Sequence, residues 1–144
     1  MQRRGVRMKQ LDECKKYVED IKKIDEDISE IESRATSPKG QRITGMPRGG
    51  SMGNQTESYM IKLEALEIRR KRLENSLLEK WEEARSILSE NSVRNEFIEL
   101  LWYRFCRGYK WKVCSEIMNK RYKDQNWNDN KCYRIYRKIK KRVQ

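Results

Sequence analysis

Two stripes of apolar residues, each stepping by three and four, set the tightest limit on what this chain can fold into. In the first, Cys14, Tyr17, Ile21, Ile24, Ile28, Ile31 and Ala35 recur at heptad spacing, with isoleucine at four consecutive seam positions. Lys, Asp and Glu fill most positions between them. The spacing predicts a helix over about Met8–Ala35 whose stripe is narrow, so it needs a partner helix rather than a broad globular interior. Opposite charges four apart, Lys22–Glu26 and Lys23–Asp27, add modest support. In the second stripe, Tyr59, Leu63, Leu66, Leu73, Leu77, Ala84 and Ile87 predict a helix over about Glu57–Glu90. Arg70 interrupts this seam, and its head is expected to snorkel to water. Ile61, Ile68 and Trp81 lie off the seam, which points to contact with a second hairpin or with the C-terminal unit.

Between the stripes, residues 36–56 carry Ser37-Pro38, Gly40, Gly45, Pro47, Gly49-Gly50 and Gly53, and read as a loop of roughly 20 residues. The loop holds Lys39, Arg42 and Arg48 and no acid. It reads as a flexible linker that lets the two helices pair antiparallel; the alternative is a mobile basic loop touching nucleic acid or a partner.

Charge separates the chain at Asn91. Residues 1–91 hold 19 Lys/Arg and 17 Asp/Glu, a net of +2; residues 92–144 hold 15 and 5, a net of +10. Of the net +12, +10 therefore gathers in the last third, the pattern of a polyanion-binding unit. The expected division is a helical hairpin over 1–91, serving oligomerisation, and a DNA-binding unit over 92–144. Histidine is absent, which removes His-based acid/base chemistry and ordinary His-containing zinc sites. Cys14, Cys106, Cys114 and Cys132 form no Cys-x-x-Cys pair and have apolar neighbours, so they read as buried, reduced thiols. No metal, cofactor or enzymatic activity is expected. No apolar run suits a signal-peptide core or a membrane span, so a cytoplasmic location is expected.

The last third reads as three helices. Asn91 or Ser92 is the expected cap of the first, whose apolar face is Val93, Phe97, Leu100, Leu101 and Phe105. Gly108 is placed to end it in the left-handed region. A second helix starts near Trp111 with Val113, Cys114, Ile117 and Met118. A third runs from about Asn130 to Val143, with Cys132, Ile135, Ile139 and Val143 inward. This is helix, short helix, turn, basic amphipathic helix, the order that major-groove recognition requires. Asn130, Lys131, Arg134 and Lys138 are the expected base-reading residues, since amide and guanidinium groups can bond base edges. Lys110, Lys112, Lys120, Arg121, Arg137, Lys140, Lys141 and Arg142 are the expected phosphate contacts, which add affinity without sequence information.

The segment Leu101–Met118, LWYRFCRGYKWKVCSEIM, resembles the Leu-x-x-Arg-aromatic-x-x-Gly-x-x-Trp pattern of phage proteins with a sigma-factor region-4-like helix-turn-helix. Lys131–Lys141, KCYRIYRKIKK, resembles their recognition helix, and the loop ATSPKGQRITGMPRGG is similar to one in the same group. The resemblance implies relatives among the ArpU/RinA-like late-transcription regulators of prophages in Gram-positive bacteria. It places the functional residues at Asn130, Lys131, Arg134 and Lys138, and brings RNA polymerase into the set of candidate partners beside double-stranded DNA. One departure is the stretch between Met118 and Trp127, longer than a three- or four-residue turn. Either the preceding helix extends through Tyr122 or a small insertion lies in the turn. The fold expectation is all-α: a long antiparallel hairpin followed by a three-helix helix-turn-helix unit. Alternatives from other classes are a phage DNA-packaging component resembling a small terminase subunit, and a helical scaffold whose basic end meets an acidic partner.

Overall fold

A computed structural model describes residues 9–36 and 49–143, with side chains described for 9–34 and 57–143. The regular secondary structure of the described residues is all α-helical: α1 (Lys9–Thr36), α2 (Gly49–Glu90), α3 (Asn95–Phe105), α4 (Trp111–Arg121) and α5 (Asp129–Val143), with no strand among them. The first stripe becomes α1 to within a residue at each end. The second extends further than expected, because α2 begins at Gly49 rather than near Glu57. Glycine inside a helix costs only about 1 kcal/mol against alanine, and each residue added to a formed helix gains a hydrogen bond. The glycines of 49–56 therefore do not end the helix, and this part of the expected loop is corrected. The rest of that loop, 37–48, lies outside the described residues.

The chain divides into two compact units, and the division does not follow the charge boundary at Asn91. One unit is Asp20–Glu74. The other joins the chain up to Glu19 with Asn75 onward. In Asp20–Glu74, α1 and α2 run antiparallel: Asp25 meets Arg70, while Ile31 shares a groove with Ala65 and Leu66. Arg70 does not hold its head in water alone. Nε donates to Asp25 Oδ1 at 2.7 Å, and Nη1 donates to Glu74 Oε2 at 2.6 Å.

In the second unit, the start of α1 and the end of α2 enter the core of the three following helices. Cys14 lies against the Leu77 carbonyl at 4.0 Å. Trp81 meets Trp102 edge-on, with ring centroids 5.4 Å apart. Leu11, Cys14, Trp81 and Leu88 are buried along with Leu100, Leu101 and Phe105. Three short helices enclose too little apolar surface by themselves, and these borrowed residues enlarge the core. Within the three helices themselves, Leu100, Cys114, Met118, Trp127 and Cys132 form a buried cluster.

Two helix ends fix how the chain enters and leaves α3. At the end of α2, Val93 N–H bonds Leu88 O and Ser92 N–H bonds Ser89 O, each at 3.0 Å. Ser92 sits in the left-handed region, with φ of 59°. This is the Schellman pattern, with Val93 and Leu88 both buried as its apolar contact. Asn91 turns back, its Nδ2 donating to Ile87 O at 2.8 Å. Neither Asn91 nor Ser92 caps α3, contrary to expectation; Arg94 stands at that cap without a side-chain bond. After α3, Gly108 takes φ of +73° as expected, and a Cβ there would meet Val18 Cγ1 at 2.9 Å.

Candidate nucleic-acid interface

The turn between α4 and α5 sets where the basic helix begins. α4 ends at Arg121 with Tyr122 as its C-cap, so the extra length noted in the sequence is shared between helix and a turn over residues 122–128. Asn119 clamps that turn. Its Nδ2 donates to Trp127 O at 2.9 Å, and its Oδ1 accepts from Trp127 N–H at 2.8 Å. Asn128 then caps α5, its Oδ1 accepting from Lys131 N–H at 2.8 Å.

Two carboxylates of α3 hold the same turn from below. Glu99 accepts from Tyr103 Oη at 2.8 Å and Tyr122 Oη at 2.6 Å, and pairs with Arg121. Glu96 accepts from Gln125 Nε2 at 2.8 Å and pairs with Arg94 at 2.8 Å. The bond to Glu99 pushes the Tyr122 hydroxyl above its ordinary range, and burial does the same for Tyr103, so both remain donors.

On this support α5 buries Cys132, Ile139 and Val143 and half-buries Ile135 and Tyr136. The opposite face carries Asn130, Arg134, Arg137 and Lys141, all exposed. The helix holds seven Lys/Arg against the single acid Asp129. Of the four expected base-reading residues, Asn130 and Arg134 share this outer face, with Arg134 Nε 3.4 Å from Asn130 O. Lys138 is exposed on the flank, lining a cleft with Phe97, Ile135, Ile139 and Arg142. Lys131 is half-buried. Its Nζ donates to Asn126 O at 3.1 Å and stands 4.6 Å above the Trp127 ring, which engages it in holding the turn.

The expected phosphate contacts Lys110, Lys112, Lys120, Arg121, Arg137, Lys140, Lys141 and Arg142 are all exposed. Arg121 has part of its charge offset by Glu99. Arg142 reaches Ser92 O at 3.5 Å. Lys110 stands at the N-cap of α4 and Lys112 in its first turn, so their charge adds to the donor end of that helix.

Sequence reasoning missed an aromatic cluster beside this face. Trp111, Tyr133 and Tyr136 pack with centroids 5.7 to 6.4 Å apart. Arg104 lies 4.8 Å over Trp111, and Arg137 lies 5.9 Å over Tyr133. Tyr133 is 46% exposed. Its spacing, three after Asn130 and four before Arg137, was the available signal, since such residues neighbour one another on a helix.

The cysteines are interior residues. All four are free and buried. Burial pushes Cys114 up to about 11 and Cys132 up to about 12, while a bond with Cys14, together with burial, raises Cys106. Among the described residues no group of three or more His, Cys, Asp or Glu could hold a metal ion, and no helix is long and apolar enough to cross a membrane. Comparison with protein-family models, curated proteins and solved structures finds no match to this chain.

Proposed function

We propose that this chain is a sequence-specific double-stranded DNA-binding protein, a transcription regulator of the phage late-gene type. In this reading α3, α4 and α5 are a helix-turn-helix unit with α5 as the recognition helix, carried on the antiparallel pair α1 and α2. The observation that carries it is the division of α5 into two faces. One is packed against the preceding helices; the other presents Asn130, Arg134, Arg137 and Lys141 to solvent on a helix with seven cations and one acid. An anchored helix with such a face meets the needs of major-groove reading, where Arg bonds guanine and Asn bonds adenine. Lys110 and Lys112 at the start of α4 are the phosphate contacts beside it. Tyr133, between Asn130 and Arg137, adds an aromatic edge for a thymine methyl or a sugar.

The test is footprinting of the full-length chain on DNA, followed by binding across a salt series. A protected site is expected, with affinity falling about a hundredfold or more from low to moderate salt if about five phosphates are contacted. A flat salt profile, or equal affinity for every duplex, would count against the reading.

A further inference from the structure

Within Asp20–Glu74 the paired helices leave an apolar stripe uncovered. Ile61 and Ile68 are 65% and 55% exposed. Seven residues apart, they lie within about 20° of each other around α2. Each stands two residues from a leucine of the α1-facing seam, Leu63 or Leu66, and so points nearly the opposite way. Exposed Arg72 follows Ile68 by four residues, so the three recur in steps of seven and four. That is a second heptad seam on α2. The seam shared with α1 is itself thinly covered: Ile28, Ile31, Leu63, Leu66 and Leu73 are only half-buried. Two helices cannot enclose a core, and another helical layer would complete it.

The charges at the ends of the stripe say which layer fits. A twofold axis crossing α2 between Glu64 and Ala65 sets Ile61 against Ile68 of a second copy, and sets Glu57 against Arg72 of that copy. A parallel arrangement would oppose Glu57 to Glu57 and Arg72 to Arg72. Among the described residues neither Glu57 nor Arg72 has an ion-pair partner, whereas Arg70 and Glu74 on the α1 side do. The surface is thus self-complementary under a twofold axis, as an isologous interface requires.

We propose that the Ile61–Ile68 face of α2 is a dimer interface occupied by a second copy of this chain in antiparallel register. The isoleucines supply the buried centre and the Glu57–Arg72 pairs select the register. This surface does not depend on the DNA-binding reading.

The test is sedimentation of the full-length chain. The wild type should run at about twice 17.5 kDa. The double variant Ile61→Asp, Ile68→Asp should run as a monomer with unchanged helicity, because both positions are exposed in the single chain. Glu57→Arg alone and Arg72→Glu alone should each weaken the dimer by about fivefold to tenfold, and the two together should restore it. A wild-type monomer, a double isoleucine variant of unchanged mass, or failure of the paired charge reversal to restore association would each overturn the proposal. None of these readouts involves DNA, so loss of the DNA-binding reading would leave the dimer standing, and the reverse.

Discussion

Asp20–Glu74 and the remainder of the described chain solve the same problem in different ways. Among the described side chains, Ile24 is the one buried apolar residue of the first; the other buried apolar residues lie in the unit formed by the start of α1, the end of α2 and the three following helices. The first unit ties its two helices together by charge at one place, with Arg70 between Asp25 and Glu74. The second leaves most of the cations of α5 unpaired and outward, over a core of Leu100, Cys114, Met118, Trp127 and Cys132. A thin seam held in register by paired charge suits association. A dense core carrying unpaired like charge suits a polyanion, because self-repulsion is relieved only by an external anion.

The contrast breaks most readily at Asn91. If the second core truly borrows Cys14, Trp81 and Leu88, a fragment of residues 92–144 should melt without cooperativity. Cooperative melting of that fragment, followed by circular dichroism, would show that the charge boundary is also a packing boundary. In the intact chain Leu100→Ala should cost about 2–5 kcal/mol in denaturant unfolding, as for a buried leucine in a tight core. A loss below 1 kcal/mol would mean that the site collapses freely.

Gly108→Ala should follow, at about 1–3 kcal/mol, because it combines a left-handed backbone with a Cβ 2.9 Å from Val18 Cγ1. Thermal melting would check it, and an unchanged midpoint would mean that Val18 gives way.

A comparable effect on binding sharpens the outer face of α5. Arg134→Ala should cost about 1–3 kcal/mol on the preferred duplex and relax its sequence preference. Lys141→Ala should weaken all duplexes alike and lower the salt slope by about one. Both remove one charge, so equal losses on specific and random DNA would reduce α5 to a basic patch.

The dense core should also fail in alkali. Cys114 and Cys132, at about 11 and about 12, are raised above their ordinary 9.0 chiefly by burial. The unfolded chain loses these protons first, so their contribution is full below pH 9 and declines as pH rises through the folded values. Melting temperature should hold from pH 6 to 8 and fall above 9, with a shallower fall in Cys132→Val. Identical alkaline profiles for the two proteins would assign the loss to other groups. The smallest effect belongs to the thin unit: Arg70→Met should cost only about 0.5 kcal/mol, since Arg70 and both its partners keep a third to a half of their side-chain surface in water. A cost above 2 kcal/mol in denaturant unfolding would mean that the pair carries more than register.

Local periodicity and backbone sterics were enough for the all-helical class, the α1 stripe, the left-handed Gly108 and the two faces of α5. Each depends on residues within a turn or two of one another, and a helix turns by a fixed angle per residue. Other features depend on partners far away in the chain. Trp81 reaching Trp102, and Glu99 collecting Arg121 and Tyr122, require the helices to have packed first. Ser92 is a local case that composition did not reveal: it ends a helix in the left-handed region, where two backbone bonds and the buried Val93–Leu88 contact outweigh its side chain's preference for a cap. Charge composition could mark Asn91 as a boundary because charge is a property of residues; the true edge of the core was decided by which apolar surfaces found one another.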